Sequence, residues 1–140
     1  MKMDMPDLRS VANAEEALQV AFRMGVLGIW PRVLCVCAAA INRSPTTAWV
    51  LAKAPYECRA ISVGSDVNKA LVPINQQVLN WAQHVVFADR KTYDAVSNLP
   101  MKVSGEIYVL DVPDRFSYRD PELIQLIEKE LKSANFPRSN

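Results

Sequence analysis

The sequence lacks most of what marks a membrane or nucleic-acid protein. No run of Lys and Arg is longer than two, and 16 basic residues against 15 acidic ones leave a net charge of +1. A nucleic acid or an acidic membrane as the main partner is therefore not expected, since both select a basic stripe. The longest apolar stretches, such as residues 33–41, fall well short of the roughly 20 residues that span a bilayer. The first residues carry acids and no apolar signal core, so a cytoplasmic protein is expected. The one histidine, His84, has no partner at ligand spacing, and neither a metal nor another cofactor is expected. Three cysteines, Cys35, Cys37 and Cys58, are an odd number, which argues against a disulfide framework and admits a reactive thiol.

What is present suffices for one hydrophobic core: 140 residues, half of them apolar. Residues 1–30 read as a loose arm and an extra helix packed on a domain of residues 31–140. That helix opens at Asn13, with Glu16 reaching back, and ends near Gly25 or Gly28. Pro31 breaks the chain before an apolar, β-branched run from Arg32 to Cys37, the pattern of a strand buried on both faces. Ser44-Pro45 is a helix start, with Ser as cap and Pro as first helical residue, and the helix runs to Lys53 before Pro55. Glu57 to Val63 is a second strand, closed by Gly64. Helix 74–82, strand 84–88, a short helix from Asp89 to Val96 and strand 106–110 follow. Asp120-Pro121-Glu122 then opens a last helix whose Leu123, Ile124, Leu126, Ile127 and Leu131 face inward.

Strands alternating with helices imply right-handed crossovers. The expected fold class is α/β: three layers, a four-stranded mainly parallel sheet flanked by helices, and a phosphate-binding loop after the first strand. Ligands in such folds sit at the carboxyl ends of the strands. Cys37 lies at one such end, and Asp111 and Asp114 follow another.

Residues Cys37 to Pro45 read C-x(5)-R-S-P between that strand and that helix. A short loop entering a helix N-terminus can turn successive N–H groups inward as an anion nest, and the helix dipole adds positive potential there. Arg43 brings a planar fork for two phosphoryl oxygens. The amides of Ala38, Ala39, Ala40, Ile41 and Asn42 line the nest, and Ser44 can donate to the sulfur. A thiol at the floor of such a cup is favoured as thiolate and can attack phosphorus.

These residues resemble the low-molecular-weight protein tyrosine phosphatase family, especially its bacterial "predicted protein tyrosine phosphatase" branch. Val33-Leu34-Cys35-Val36-Cys37 leading into Cys-x(5)-Arg-Ser-Pro-Thr carries the likeness. It continues through Ile61-Ser62-Val63-Gly64, Trp81 to Asp89, Leu110 to Asp114 and Tyr118 to Leu123, over about residues 31–132. The resemblance implies a two-step hydrolysis of phosphotyrosine in proteins, or of a small aryl phosphate. Cys37 would take the phosphoryl group, Arg43 would hold its oxygens, and Asp114 would serve as general acid and then base. Asp89 would support the loop by orienting Arg43, or simply cap its own helix. Phe116, Tyr118 and Trp30 are candidates for a rim that grips the aryl group.

The loop departs from the family pattern at Ala39 and Ala40, where Gly and Asn are usual; left-handed φ at either position costs Ala about 1–2 kcal/mol. Asn42 stands where many relatives have a second, protective cysteine. Two other functions therefore stand beside hydrolysis. One is a catalytically weak or inactive module that binds phosphate or a phosphorylated partner. The other is a related arsenate reductase, for which Cys35 and Cys58 occupy no evident relay position.

Overall fold

Strand β1, Arg32–Cys37, is the run of apolar residues that the sequence marks as doubly buried, and all but Arg32 are buried. The computed structural model describes residues 30–138. After β1 come α1 (Arg43–Leu51), β2 (Arg59–Gly64), α2 (Gln76–Trp81) and β3 (His84–Phe87). Then α3 (Arg90–Ser97), β4 (Glu106–Val109) and α4 (Pro121–Ser133) complete the described chain. The helix expected after Asn13 lies outside these residues.

The four strands form one sheet in the order β2-β1-β3-β4, and every pairing is parallel. Alternate side chains of the central strands point to opposite faces, and each face has its own core. Leu34, Val36, Ile61, Val63, Val85 and Phe87 pack against Val78 and Leu79 of α2 and Val96 of α3. Val33, Cys35, Ala60 and Val86 pack against Ala48, Val50 and Leu51 of α1 and Leu123, Ile127 and Leu131 of α4. This is the expected three-layer α/β architecture.

The topology positions the site. The connection after β1 leads to α1 on one face, and the connection after its neighbour β3 leads to α3 on the other. The crevice between two strands whose connections diverge is where open α/β sheets bind ligands.

Several element boundaries differ from those expected. Helix α1 starts at Arg43, not after Ser44, and Asn42 precedes it without a side-chain cap. Ser44 therefore lies inside the helix, its hydroxyl committed to the site. Glu57 adopts a left-handed φ of 52°, which no strand accommodates, so β2 begins only at Arg59. In α2 the cap is Asn75, which accepts from the Val78 amide, and the helix starts two residues later than residue 74. Asp120 does cap α4, accepting from the Glu122 amide with Pro121 at the helix start. Of the five apolar residues expected inward on α4, Ile124 and Leu126 are only half-buried.

Candidate active site

The loop from Ala38 to Asn42 is shaped by where its carbonyls go. The Cys37 carbonyl accepts from the Ser65 amide at 2.8 Å, that of Ala38 from Asp66 at 3.0 Å, and that of Ala39 from Leu71 at 2.9 Å. A trans peptide points its N–H opposite its C=O. The amides of Ala38, Ala39 and Ala40 are thereby turned away from the 65–71 segment and toward the inside of the loop. The Ala40 amide indeed donates to Cys37 Sγ, at 3.3 Å.

This close approach of backbones depends on Gly64, the residue paired with Cys37 in the sheet. A Cβ there would come within 2.6 Å of the Ala38 carbonyl oxygen and 2.4 Å of Ala70 Cβ. Any side chain at 64 would push the loop off its braces.

Of the two alanines flagged in the sequence, only Ala40 is left-handed, with φ of 60°. It is also buried. The 65–71 backbone thus braces the loop from outside. Ala40→Gly removes the steric cost of the left-handed turn but adds unfolded-state entropy. The expected net gain is about 0.5–1 kcal/mol of stability, read as a higher midpoint in urea unfolding. A lower midpoint would mean that the Ala40 methyl packs more than it strains.

Cys37 Sγ lies 3.0 Å from Ser44 Oγ, which lies 2.8 Å from Ser62 Oγ. Both serines are buried. A hydroxyl has one proton, so a thiolate orders the chain: Ser62 donates to Ser44, and Ser44 donates to sulfur. The Ala40 amide and the Ser44 hydroxyl thus both face the Cys37 sulfur. Ser62 received no role from the sequence, although a hydroxyl in the otherwise apolar run Ala60-Ile61-Ser62-Val63 is itself a signal.

Arg43 joins three loops. Its Nη1 donates to Asp89 Oδ2 at 2.7 Å and to the Val112 carbonyl at 2.8 Å. Its Nε lies 3.7 Å from Asp114 Oδ1. The Arg43 side chain is 5% exposed and that of Asp114 65%. Asp89 works with both oxygens. Oδ1 accepts from the amide and hydroxyl of Thr92, capping α3, while Oδ2 takes Arg43. The two roles suggested for Asp89 are therefore one. Burial pushes the Asp89 carboxyl up, but the hydrogen bonds from Thr92 and Arg43 and the charge of Arg43 outweigh it and hold the group below its ordinary value. Its stabilising contribution is complete at neutral pH and is lost as the pH falls through that lowered value.

The fold has known counterparts. No protein-family model and no curated protein matches the sequence. Among solved structures, Wzb of Vibrio vulnificus in complex with benzylphosphonate superposes with a TM-score of 0.58 at 15% identity, over 74% of this chain and 96% of its own. The tyrosine phosphatase AmsI of Erwinia amylovora gives 0.51 at 16% identity, over 77% of this chain and 91% of its own. This chain has the low-molecular-weight tyrosine phosphatase fold. A thioredoxin-dependent arsenate reductase of Corynebacterium glutamicum is also similar, with a TM-score of 0.53 at 18% identity, over 84% of this chain and 65% of its own. The low-molecular-weight phosphatase fold thus serves two chemistries.

Within this fold the other sequence candidates separate. Asp111 is exposed, and its amide donates to Glu130 Oε1 at 2.7 Å. Asp120 caps α4. Of Asp111, Asp114 and Asp120, only Asp114 reaches Arg43 among the described residues. Ile41 is 50% exposed on the lip of the loop, and the half-buried Asn42 uses its carbonyl to accept from the amide and hydroxyl of Thr46. Two of the three rim aromatics are displaced. Phe116 is buried in the core against α4, because the loop after β4 folds back onto that helix. Trp30 precedes β1 and packs near Arg59, at the end of the sheet opposite the loop. Tyr118 remains half-buried near the acid loop. No helix among the described residues is long and apolar enough to cross a membrane.

Proposed function

We propose that the protein is a cysteine-dependent phosphomonoester hydrolase, acting on phosphotyrosine in proteins or on small aryl phosphates through a phosphocysteine intermediate. The observation that carries this reading is the Cys37 sulfur, met by the Ala40 amide and the Ser44 hydroxyl inside a loop whose carbonyls are anchored outward.

In the first step Cys37 attacks phosphorus, a sulfur–phosphorus bond forms and the ester P–O bond breaks. Asp114 gives its proton to the departing oxygen. In the second step water attacks phosphorus, Asp114 takes a proton from it, and the P–S bond breaks to release inorganic phosphate. The Ser62–Ser44 hydroxyl chain donates to the leaving thiolate. Asp114 shares the Nε side of Arg43, the side that faces a phosphoryl oxygen, so a bound dianion displaces the carboxylate toward the ester oxygen.

The burial of the other thiols supports hydrolysis over an arsenate-reductase relay. Burial pushes the Cys58 thiol up to about 12, and it raises Cys35 well above the ordinary value, with Cys58 and Cys37 adding to the effect. Neither is available as a resolving thiolate at neutral pH.

The test is p-nitrophenyl phosphate hydrolysis at mildly acidic pH. Asp114→Asn is expected to lower kcat by about 10²–10⁴-fold, the usual worth of a positioned acid. An unchanged kcat would assign the acid elsewhere. The left-handed, non-glycine Ala40 favours one alternative, a weak or inactive module that only binds phosphorylated partners. Wild-type protein that binds inorganic phosphate through Arg43 but shows no turnover would establish that alternative.

A further inference from the structure

Trp49 lies on α1 six residues after Arg43, and its indole carries two cations. Lys53 Nζ is 3.3 Å from the ring centre, and the Arg119 guanidinium carbon is 4.3 Å from it. Neither forms an ion pair among the described residues. Two positive charges so placed lie within one Debye length of each other, about 8 Å at physiological salt, and repel unless an anion joins them. Arg119 is held there at some cost to the backbone: its φ is 61°, and its amide donates to Thr46 Oγ1 at 2.9 Å. Arg115, next to Asp114, lies with its guanidinium carbon 4.9 Å from the Phe116 ring centre and is likewise without an ion pair among the described residues.

The loop from Val112 to Arg119 therefore runs from the phosphate loop to the flank of α1. One end sits on Arg43 through the Val112 carbonyl and Asp114, and the other on Thr46 and Trp49. No acid among the described residues pairs with Lys53, Arg115 or Arg119. Asp114 faces Arg43, Asp120 caps α4, and Glu122 lies in the first turn of that helix.

We propose that Lys53, Arg115 and Arg119 form a cationic shelf that selects phosphotyrosine segments bearing Asp or Glu two or three residues from the phosphotyrosine. The inference rests on the hydrolase reading given above and names its substrate class. Six residues of helix advance about 9 Å. An extended peptide covers that offset in two to three residues at roughly 3.3–3.6 Å each. A carboxylate at that distance is brought to the Trp49 flank, where Lys53 and Arg119 lie, while the phosphoryl group occupies the loop.

The experiment compares two phosphotyrosine peptides of equal length, one with Glu and Asp flanks and one with Gln and Asn flanks, alongside p-nitrophenyl phosphate. Wild-type kcat/KM should favour the acidic peptide by about tenfold at low salt, through KM, and the preference should shrink as salt rises. In Lys53→Gln/Arg115→Gln/Arg119→Gln the preference should fall to within about twofold, with p-nitrophenyl phosphate turnover unchanged; Arg119→Lys alone should retain most of it. No wild-type preference overturns the shelf, as does an equal loss on all three substrates. A stronger preference for a nucleoside diphosphate competitor than for the acidic peptide also overturns it. Should no substrate be hydrolysed, the hydrolase reading fails separately. Fluorescent peptide binding to Cys37→Ser then decides the shelf: tighter acidic binding supports it, and equal affinity removes it.

Discussion

Cys37→Ser is expected to reduce p-nitrophenyl phosphate turnover by on the order of 10⁴-fold or more, the scale on which loss of a nucleophile registers. The reason is chemical. A serine hydroxyl is a weak nucleophile and has no base beside it here to take its proton, whereas cysteine sulfur is intrinsically the stronger nucleophile. The Ala40 amide and the Ser44 hydroxyl aim at the residue 37 side chain, and an oxygen there can still accept from both. The variant should therefore fold normally and keep its anion site. Inorganic phosphate at 100 times its dissociation constant should stabilise wild type and variant alike, by about 2.7 kcal/mol. Cys35→Ala and Cys58→Ala provide the contrast: both thiols are buried in the core facing α1 and α4, with their ionisation pushed up by burial. Each should lose stability and keep turnover per folded molecule. Activity in Cys37→Ser within tenfold of wild type would sink the phosphocysteine mechanism.

The parts of the site written locally were legible in the sequence, and the parts assembled by tertiary contact were not. Arg32 to Cys37 announces a buried strand by composition, and C-x(5)-R-S-P after it announces an anion loop, because both depend on neighbours in the chain. Asp120-Pro121 likewise caps α4 as its local chemistry dictates. Ser44 shows where local chemistry misleads. Cap preference places it before the helix, but the chance to bond Cys37 and Ser62 draws it inside. The Ser62 hydroxyl behind that of Ser44 and the need for glycine at 64 appear only when β2 is laid beside β1. Phe116 reads as a rim residue from its place two after Asp114, yet the fold spends it on the core. Trp30 reads as a rim residue by its type, yet it precedes β1 and so lies at the end of the sheet opposite the loop.

Arg43→Lys is expected to lower kcat/KM by about 10²–10³-fold, the range for losing transition-state hydrogen-bond donors, although the formal charge is retained. The count of donors explains the size. A guanidinium has five N–H groups, and here Nη1 is committed to Asp89 and the Val112 carbonyl. Nε and Nη2 remain, on the side that matches two phosphoryl oxygens. An ammonium places all its donors on one nitrogen, so it cannot hold Asp89 and the Val112 carbonyl on one side and present a two-pronged fork on the other. Lysine at 43 must either stay with Asp89 or reach the phosphoryl group. Arg43→Met goes further, because it strips the charge from a side chain that is 5% exposed and leaves Asp89, 26% exposed, without its cation. Thr92 still bonds Asp89 Oδ1, so part of the lowering of that carboxyl survives and part is lost. In wild type the contribution of Asp89 is present at neutral pH and disappears as the pH falls through its lowered value; in Arg43→Met it is smaller at neutral pH and disappears at a higher pH. Urea unfolding of the two proteins across the acid range should therefore converge as the pH drops. Curves that stay parallel would mean that the pair with Asp89 orients the arginine for substrate without contributing to stability.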